Sequence, residues 1–152
     1  MTRAPFQVLV FPYHLRPDGI VIYAVFRRSD THGGYWQGIA GGGEDDELPI
    51  AAAQREAEEE AGIPRNAHFM QLDTCCSIPV EHFAARQWPA DVFVIPEYAF
   101  GVEAAPDAVR LSPEHVEHRW LPYRVAADLM QYDSNRTALW ELEQRVRLRQ
   151  RS

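Results

Sequence analysis

The sequence predicts an α/β layer fold, a mixed sheet with helices on its faces. Three observations lead there. Element signals run as strands, helix, strands, helix along the chain. Residues 49–61 carry a helical stripe of small apolar side chains, Ile50, Ala53, Ala57 and Ala61, suited to close packing on a sheet. The chain has 152 residues with 46% hydrophobic content, enough for one domain, residues 1–152, with its own core.

The elements follow in order. Phe6 to Tyr13 is rich in β-branched and aromatic residues and predicts a strand. Arg16-Pro-Asp-Gly19 is a turn signal, so Ile20 to Phe26 pairs back as a hairpin. Thr31 to Gly34 is loop, and Trp36 to Ala40 a short extended stretch leading into a glycine loop. Pro49 to Ala61 is the first helix. Pro suits its first turn, Leu48 is a poor cap, and Gly62 suits the left-handed position after its end, with Pro64 as a stop.

Phe69 to Pro79 predicts a strand, Val80 to Pro89 a loop, and Asp91 to Phe100 a strand that Pro96 marks as edge or bulged. Gly101 to Pro113 reads as a polar connection and His115 to Leu121 as a strand. Two helices close the chain. Tyr123 to Gln131 is short. Ser134 to Arg149 carries Leu139, Leu142 and Val146 at helical spacing and can be capped by Ser134 or Asn135.

Composition narrows the chemistry. A net charge of −7 disfavours a nucleic-acid backbone as partner. No apolar run is long enough for a membrane span, and the first six residues lack a signal-peptide core, so the expected compartment is the cytoplasm. All 15 basic residues are Arg, so phosphate contacts must come from Arg, His, hydroxyls or backbone. Cys75 and Cys76 are adjacent and lack the spacing of a zinc site; they predict reduced, packed strand residues.

The most informative segment is residues 41–63. Glu56, Glu59 and Glu60 fall at i, i+3 and i+4 and share one helix face. Like charges at that spacing repel, and a hard divalent cation with oxygen ligands removes the repulsion. A solvated acidic face would need none of the surrounding pattern. Gly41 to Gly43, Glu47, Arg55 and Gly62 all stand at particular spacings around it. Arg55 is expected to point away from the acidic face and hold Glu47.

That pattern resembles the signature of the Nudix hydrolases: Gly41, Glu47, Arg55-Glu56, Ala57, Glu59-Glu60, Gly62 and Ile63, with Ala57 small for its slot. The resemblance implies a Nudix-type α/β/α sandwich around a central mixed sheet. It implies water attack on a phosphoanhydride of a nucleotide-like small molecule with Mg²⁺, or with Mn²⁺ in its place. Glu56, Glu59 and Glu60 match metal-binding positions, the Gly42 carbonyl is a further candidate ligand, and Gly41, Glu47, Arg55 and Gly62 form a structural brace. Weaker similarity extends through Arg27-Arg28-Ser-Asp30, Tyr35-Trp36-Gln37, Ser112-Pro-Glu114-His115 and Ser134-Asn135-Arg136 to the dihydroneopterin triphosphate diphosphatase branch. It implies an added metal-ligating or base-positioning carboxylate at Glu114, in preference to Glu117. The segment from Ser77 to Asp91 departs from that branch.

Outside the motif, Arg27 and Arg28 are candidates for phosphate contact, with their side chains on opposite sides of a strand. Trp36, Phe83 and Trp88 are candidates for ring stacking, and Arg86 lies in the same loop. Trp120 and Trp140 read as core, His115 and His118 as structural, and Arg145 to Arg151 as a solvated helix face. Nucleoside triphosphates, dinucleoside polyphosphates and nucleotide sugars are alternative substrates. A non-catalytic ligand-sensing module would be expected to lose an acidic residue or carry a DNA-binding domain, and neither is seen in the sequence. The strand near Pro96 and the N-terminal hairpin could each pair with a second copy, making a homodimer.

Overall fold

The computed structural model describes residues 2–151 other than Ala84 and Arg86, and the backbone but not the side chain of His32. Among the described residues there are seven strands: β1 (Arg3–Leu15), β2 (Val21–Arg28), β3 (Trp36–Gln37), β4 (Ile39–Glu44), β5 (Phe69–Pro79), β6 (Val94–Glu103) and β7 (His115–Pro122). The helices are α1 (Pro49–Ala61), α2 (Tyr123–Leu129) and α3 (Asp133–Gln150).

β1 is the hub of the sheet. One of its edges runs parallel to β6, from Gln7 opposite Glu97 to Tyr13 opposite Glu103. Its other edge is shared. β4 pairs antiparallel with Arg3 to Val10, and β2 takes over at Tyr13 to Leu15. β5 lies outside β6, while β3 and β7 attach to β2. The β1–β6 pair is parallel and the remaining ladders antiparallel, so the sheet is mixed, as predicted.

Alternation along β1 sorts the two cores. Ala4, Phe6, Val8 and Val10 face α1, where they meet Ala52, Ala53, Ala57 and Ala61. Leu9, Phe11 and Tyr13 face α2 and α3, where they meet Ala126, Leu139, Leu142 and Val146. A strand buried on both faces reads as one apolar run, which is why it was legible as a strand. The alanine stripe lets α1 lie close to the sheet. Gly62 ends the helix at φ 70°, and its N–H bonds back to Ala57 and Glu58 carbonyls.

Several expectations need correction. Gly41 to Gly43 are not loop; they belong to β4 and pair with β1. The strand expected over 91–100 runs over 94–103 and lies inside the sheet. At Pro96 it is in register with Ser77 of β5, and β1 comes alongside only from Glu97 onward, so the missing N–H falls on a one-sided stretch. The edge strand is β5 instead. Its alternation leaves Cys75 exposed and Cys76 half-buried, both free thiols rather than packed core. Trp140 is 54% exposed, because α3 turns Leu139 and Leu142 inward. Neither Ser134 nor Asn135 caps α3. Its cap residue is Tyr132, and Asn135 Oδ1 instead accepts the Gly38 N–H at 2.9 Å. The arginine tail is not merely solvated. Arg145 reaches Glu141 at 2.7 Å and Asp73 at 2.9 Å, and Arg149 donates to the Tyr13 hydroxyl at 3.3 Å, clipping α3 to the sheet.

Candidate active site

The acidic face of α1 meets the sheet at the glycines of β4. Gly41 lies against the Glu56 carboxylate, and any Cβ there would run into it. Gly42 turns its missing side chain to the other face of the sheet, where the Arg3 guanidinium fills the space. The glycines are thus needed for close approach, from one side by a carboxylate and from the other by a cation.

Arg55 organises this corner. Nε reaches Glu47 Oε2 at 3.0 Å and Nη2 reaches Glu47 Oε1 at 3.0 Å. Nη2 also donates to the Gly42 carbonyl at 2.8 Å. The bond to Arg55 holds the Glu47 carboxyl below its usual range. One expectation about Arg55 fails: it does not turn away from the acidic face. Nη1 reaches Glu56 Oε1 at 2.9 Å and Glu59 Oε2 at 3.3 Å. With five donors in a planar fork, one guanidinium serves the brace and the face together.

Glu56 and Glu60 are buried, at 8% and 6% exposure, while Glu59 lies outward. Burial pushes the Glu56 carboxyl up to about 7, against the pull of Arg55 and with help from Glu59 and Glu114. Burial also pushes Glu60 up, and Glu114 beside it adds to the rise. Glu114 lies in the turn just before β7 and sits 3.8 Å from Arg28. His115 Nδ1 lies 3.7 Å from Glu60 Oε2, but burial lowers the imidazole to about 4, so it is neutral and the contact is no ion pair.

The donor set suits a hard cation. It is all oxygen, it comes from carboxyl groups, and Glu60 Oε2 is buried with no hydrogen-bond partner among the described residues. Among the described residues, no three acidic, imidazole or thiol groups converge into a ready-made metal cluster. Arg55 instead holds Glu56 and Glu59, supplying the positive charge that the carboxylates require. Gly42, named as a further ligand, has its carbonyl engaged by Arg55, although a carbonyl retains a second lone pair.

Other candidates are placed as follows. Arg27 is drawn to Glu117 at 3.3 Å and to Asp30 at 3.5 Å; Arg28 faces Glu114. Glu117 is paired with Arg27 and Arg119, which separates it from the acidic face. Trp36 is half-buried, with the Arg119 guanidinium 4.8 Å from its ring centroid. Trp88 is no open platform either: it is 8% exposed and donates Nε1–H to the Arg3 carbonyl at 3.2 Å. Phe83 packs edge-on against Trp88 and lines a cavity of about 320 Å³ on the α3 side of β4. Arg86 lies outside the described residues.

Arg3, Gln37 and Glu97 were not singled out from sequence. Arg3 sits among the Phe83 and Trp88 rings and the Gln7 amide. The available signals were polar: one arginine before an apolar strand, and a carboxylate, Glu97, in the interior of a largely apolar strand.

Comparison with known proteins agrees with this geometry. The family model described as "NUDIX domain" matches residues 10–140. A NUDIX hydrolase structure from Listeria monocytogenes superposes with a TM-score of 0.85 at 36% identity, covering 96% of this chain and 97% of that one. The Escherichia coli dihydroneopterin triphosphate pyrophosphohydrolase aligns at 23% identity and TM-score 0.72, covering 91% and 94%. A Caenorhabditis elegans Ap4A hydrolase aligns at 19% and 0.68, covering 94% and 98%. An octanoyltransferase of Myxococcus xanthus is 32% identical over 111 residues, 72% of this chain, and the chain spans 29% of that protein's length. The chain belongs to the Nudix family, and its sheet-and-helix sandwich is the Nudix fold.

Proposed function

We propose that the protein hydrolyses a phosphoanhydride bond of a nucleotide-like small molecule in a Mg²⁺-dependent reaction, with Mn²⁺ able to substitute. Dihydroneopterin triphosphate, cut to its monophosphate and pyrophosphate, is the substrate we favour. The observation that carries the reaction class is the meeting of Glu56, Glu59 and Glu60 on α1 with Glu114 from the turn before β7, beside the glycines of β4. The pterin reading is supported by the likeness to the E. coli enzyme, which concerns the fold alone, and by a cavity across β4 from the acidic face, lined by both polar and apolar side chains.

Glu56, Glu59 and Glu60 would hold the cation, with Glu114 joining them. When bound, the cation would draw charge from phosphoryl oxygens that no lysine is present to neutralise. Arg28, next to Glu114, would orient a phosphate. Glu114 is the more solvent-facing of the pair it forms with Glu60, and we assign it removal of the proton from the attacking water. Neutral His115 behind Glu60 would keep that side free of competing cationic charge.

The test is pyrophosphate release from a triphosphate panel, with ADP-ribose and a dinucleoside polyphosphate included, in Mg²⁺ and in EDTA. Pyrophosphate and a monophosphate should form only with metal. Glu56→Gln and Glu60→Gln should each lower kcat at least about 100-fold while the variants melt cooperatively. Unchanged turnover in both variants would overturn the reading of these carboxylates. Activity on ADP-ribose alone would overturn the triphosphate reading.

A further inference from the structure

The cavity on the α3 side of β4 contains one group that the chemistry above does not use. Glu97 is 7% exposed, sits on an interior strand and lines this space. It belongs to one row across the sheet: Gly42 of β4, Gln7 of β1, Glu97 of β6 and Cys76 of β5 lie opposite one another. β4 therefore separates two environments. The Gly41 position faces the Glu56 carboxylate, and the Ala40 side chain faces the cavity.

Two side-chain acceptors of the cavity are already engaged. Gln7 Oε1 accepts from Arg3 at 2.6 Å, and Asn135 Oδ1 accepts from Gly38 N–H at 2.9 Å. Glu97 receives the Ser134 hydroxyl, and among the described residues no cation pairs with it. A carboxylate has two oxygens and about four acceptor directions, so most of its capacity is open. Burial pushes its carboxyl up to about 7, against the pull of the Ser134 hydroxyl.

We propose that Glu97 is a specificity-determining residue that accepts two hydrogen bonds from the N–H and adjacent exocyclic NH₂ of a 2-amino-4-oxo ring, the edge shared by guanine and pterin. The inference rests on the phosphoanhydride reading and names the ring that its substrate carries. A carboxylate matches two parallel donors bidentately. Adenine offers a donor beside an acceptor and so mismatches an ionised carboxylate. Hypoxanthine keeps the ring N–H but lacks the amino group. Phe83, Ile78 and Pro79 give the same cavity an apolar lining for a flat ring.

The experiment is equilibrium titration by calorimetry at pH 8 in EDTA, where no turnover occurs. GTP, ITP, ATP and neopterin are the probes, against the parent chain and Glu97→Gln. The parent should bind GTP about tenfold or more tighter than ITP, the fold-change expected for one hydrogen bond to a charged group. Glu97→Gln should abolish that difference and weaken neopterin by a similar factor, while binding ITP within about threefold of the parent. Equal GTP and ITP affinities in the parent, a preference that survives in Glu97→Gln, or failure of every probe to bind would each overturn the proposal. The GTP-to-ITP ratio in the parent needs no variant, so a folding failure of Glu97→Gln cannot rescue or sink it. Guanosine titrated beside neopterin, neither carrying a phosphate, tells the two ring sources apart. Loss of the hydrolase reading would appear separately, as no metal-dependent pyrophosphate release.

Discussion

Arg55 meets Glu47 through two parallel bonds, Nε to Oε2 and Nη2 to Oε1, each 3.0 Å long. The same guanidinium is 7% exposed and reaches Glu56 and the Gly42 carbonyl. Removing Glu47 would strip a buried cation of two of its five hydrogen bonds to the described residues. Glu47→Ala should therefore lose about 2–4 kcal/mol of stability, seen as a melting temperature lower by roughly 5–15 °C. Arg55→Lys should not restore the parent, because an ammonium cannot make the paired contact. Thermal melts followed by circular dichroism check both, and a Glu47→Ala variant as stable as the parent would remove the brace from the account.

Glu60 pairs burial with an unpartnered oxygen, which makes it costly without a cation and useful with one. In EDTA, Glu60→Gln should melt at or slightly above the parent temperature. Addition of Mg²⁺ should raise the parent's melting temperature, by the equivalent of about 2.7 kcal/mol at a hundredfold excess over Kd, and leave Glu60→Gln nearly unmoved. Equal shifts in the two proteins would mean that the cation binds elsewhere.

The reach of the sequence differs between the two parts of the site. The cation face was legible because its parts are local. Helical spacing puts Glu56, Glu59 and Glu60 together, and Pro49, Ala61 and Gly62 set the helix bounds, which the structure reproduces. The cavity was not legible because its walls come from separated segments. Gln7 and Glu97 meet only through the parallel pairing of β1 with β6, and Asn135 arrives from the start of α3. Pro96 also misled. A proline argues for an edge, but here one strand neighbour begins a single residue later, so an interior strand tolerates it. Trp140 misled for a different reason: its size suggested core, and only the rotation of α3 about its own axis decides otherwise.

Glu141 fastens α3 to the edge strand. It accepts from Asp73 N–H at 2.7 Å, Thr74 N–H at 2.8 Å, the Thr74 hydroxyl at 2.6 Å and Arg145 at 2.7 Å. Burial works to raise this carboxyl, but the four donors win and hold it down to about 2. A depressed acid contributes stability above its unfolded pKa and loses it as pH falls through the folded value. The contribution should be full at pH 6 and fade between about pH 4.5 and 2. Solvent screening at this edge limits it to about 1–2 kcal/mol. Denaturant melts at pH 6 and pH 3 should show a gap between parent and Glu141→Gln that narrows at the lower pH; a constant gap would assign the effect to packing.

Glu97 should show the opposite slope. Its carboxyl is pushed up to about 7 by burial, and among the described residues the Ser134 hydroxyl opposes the rise. The folded chain then binds the proton more tightly than the unfolded chain, whose carboxyl titrates near 4.5. Stability is therefore lost as pH rises between about 4.5 and 7, and the loss persists above that range. Glu97→Gln keeps the shape and removes the charge. It should be about as stable as the parent at pH 4 and more stable at pH 8, by up to about 3 kcal/mol. A ligand that donates two hydrogen bonds to the carboxylate should recover part of that loss in the parent and none in the variant. Melts at pH 4 and 8, with and without GTP in EDTA, measure all of this at once. A variant less stable than the parent at pH 8 would show that the folded chain already satisfies this carboxylate, and that no ring is needed to do so.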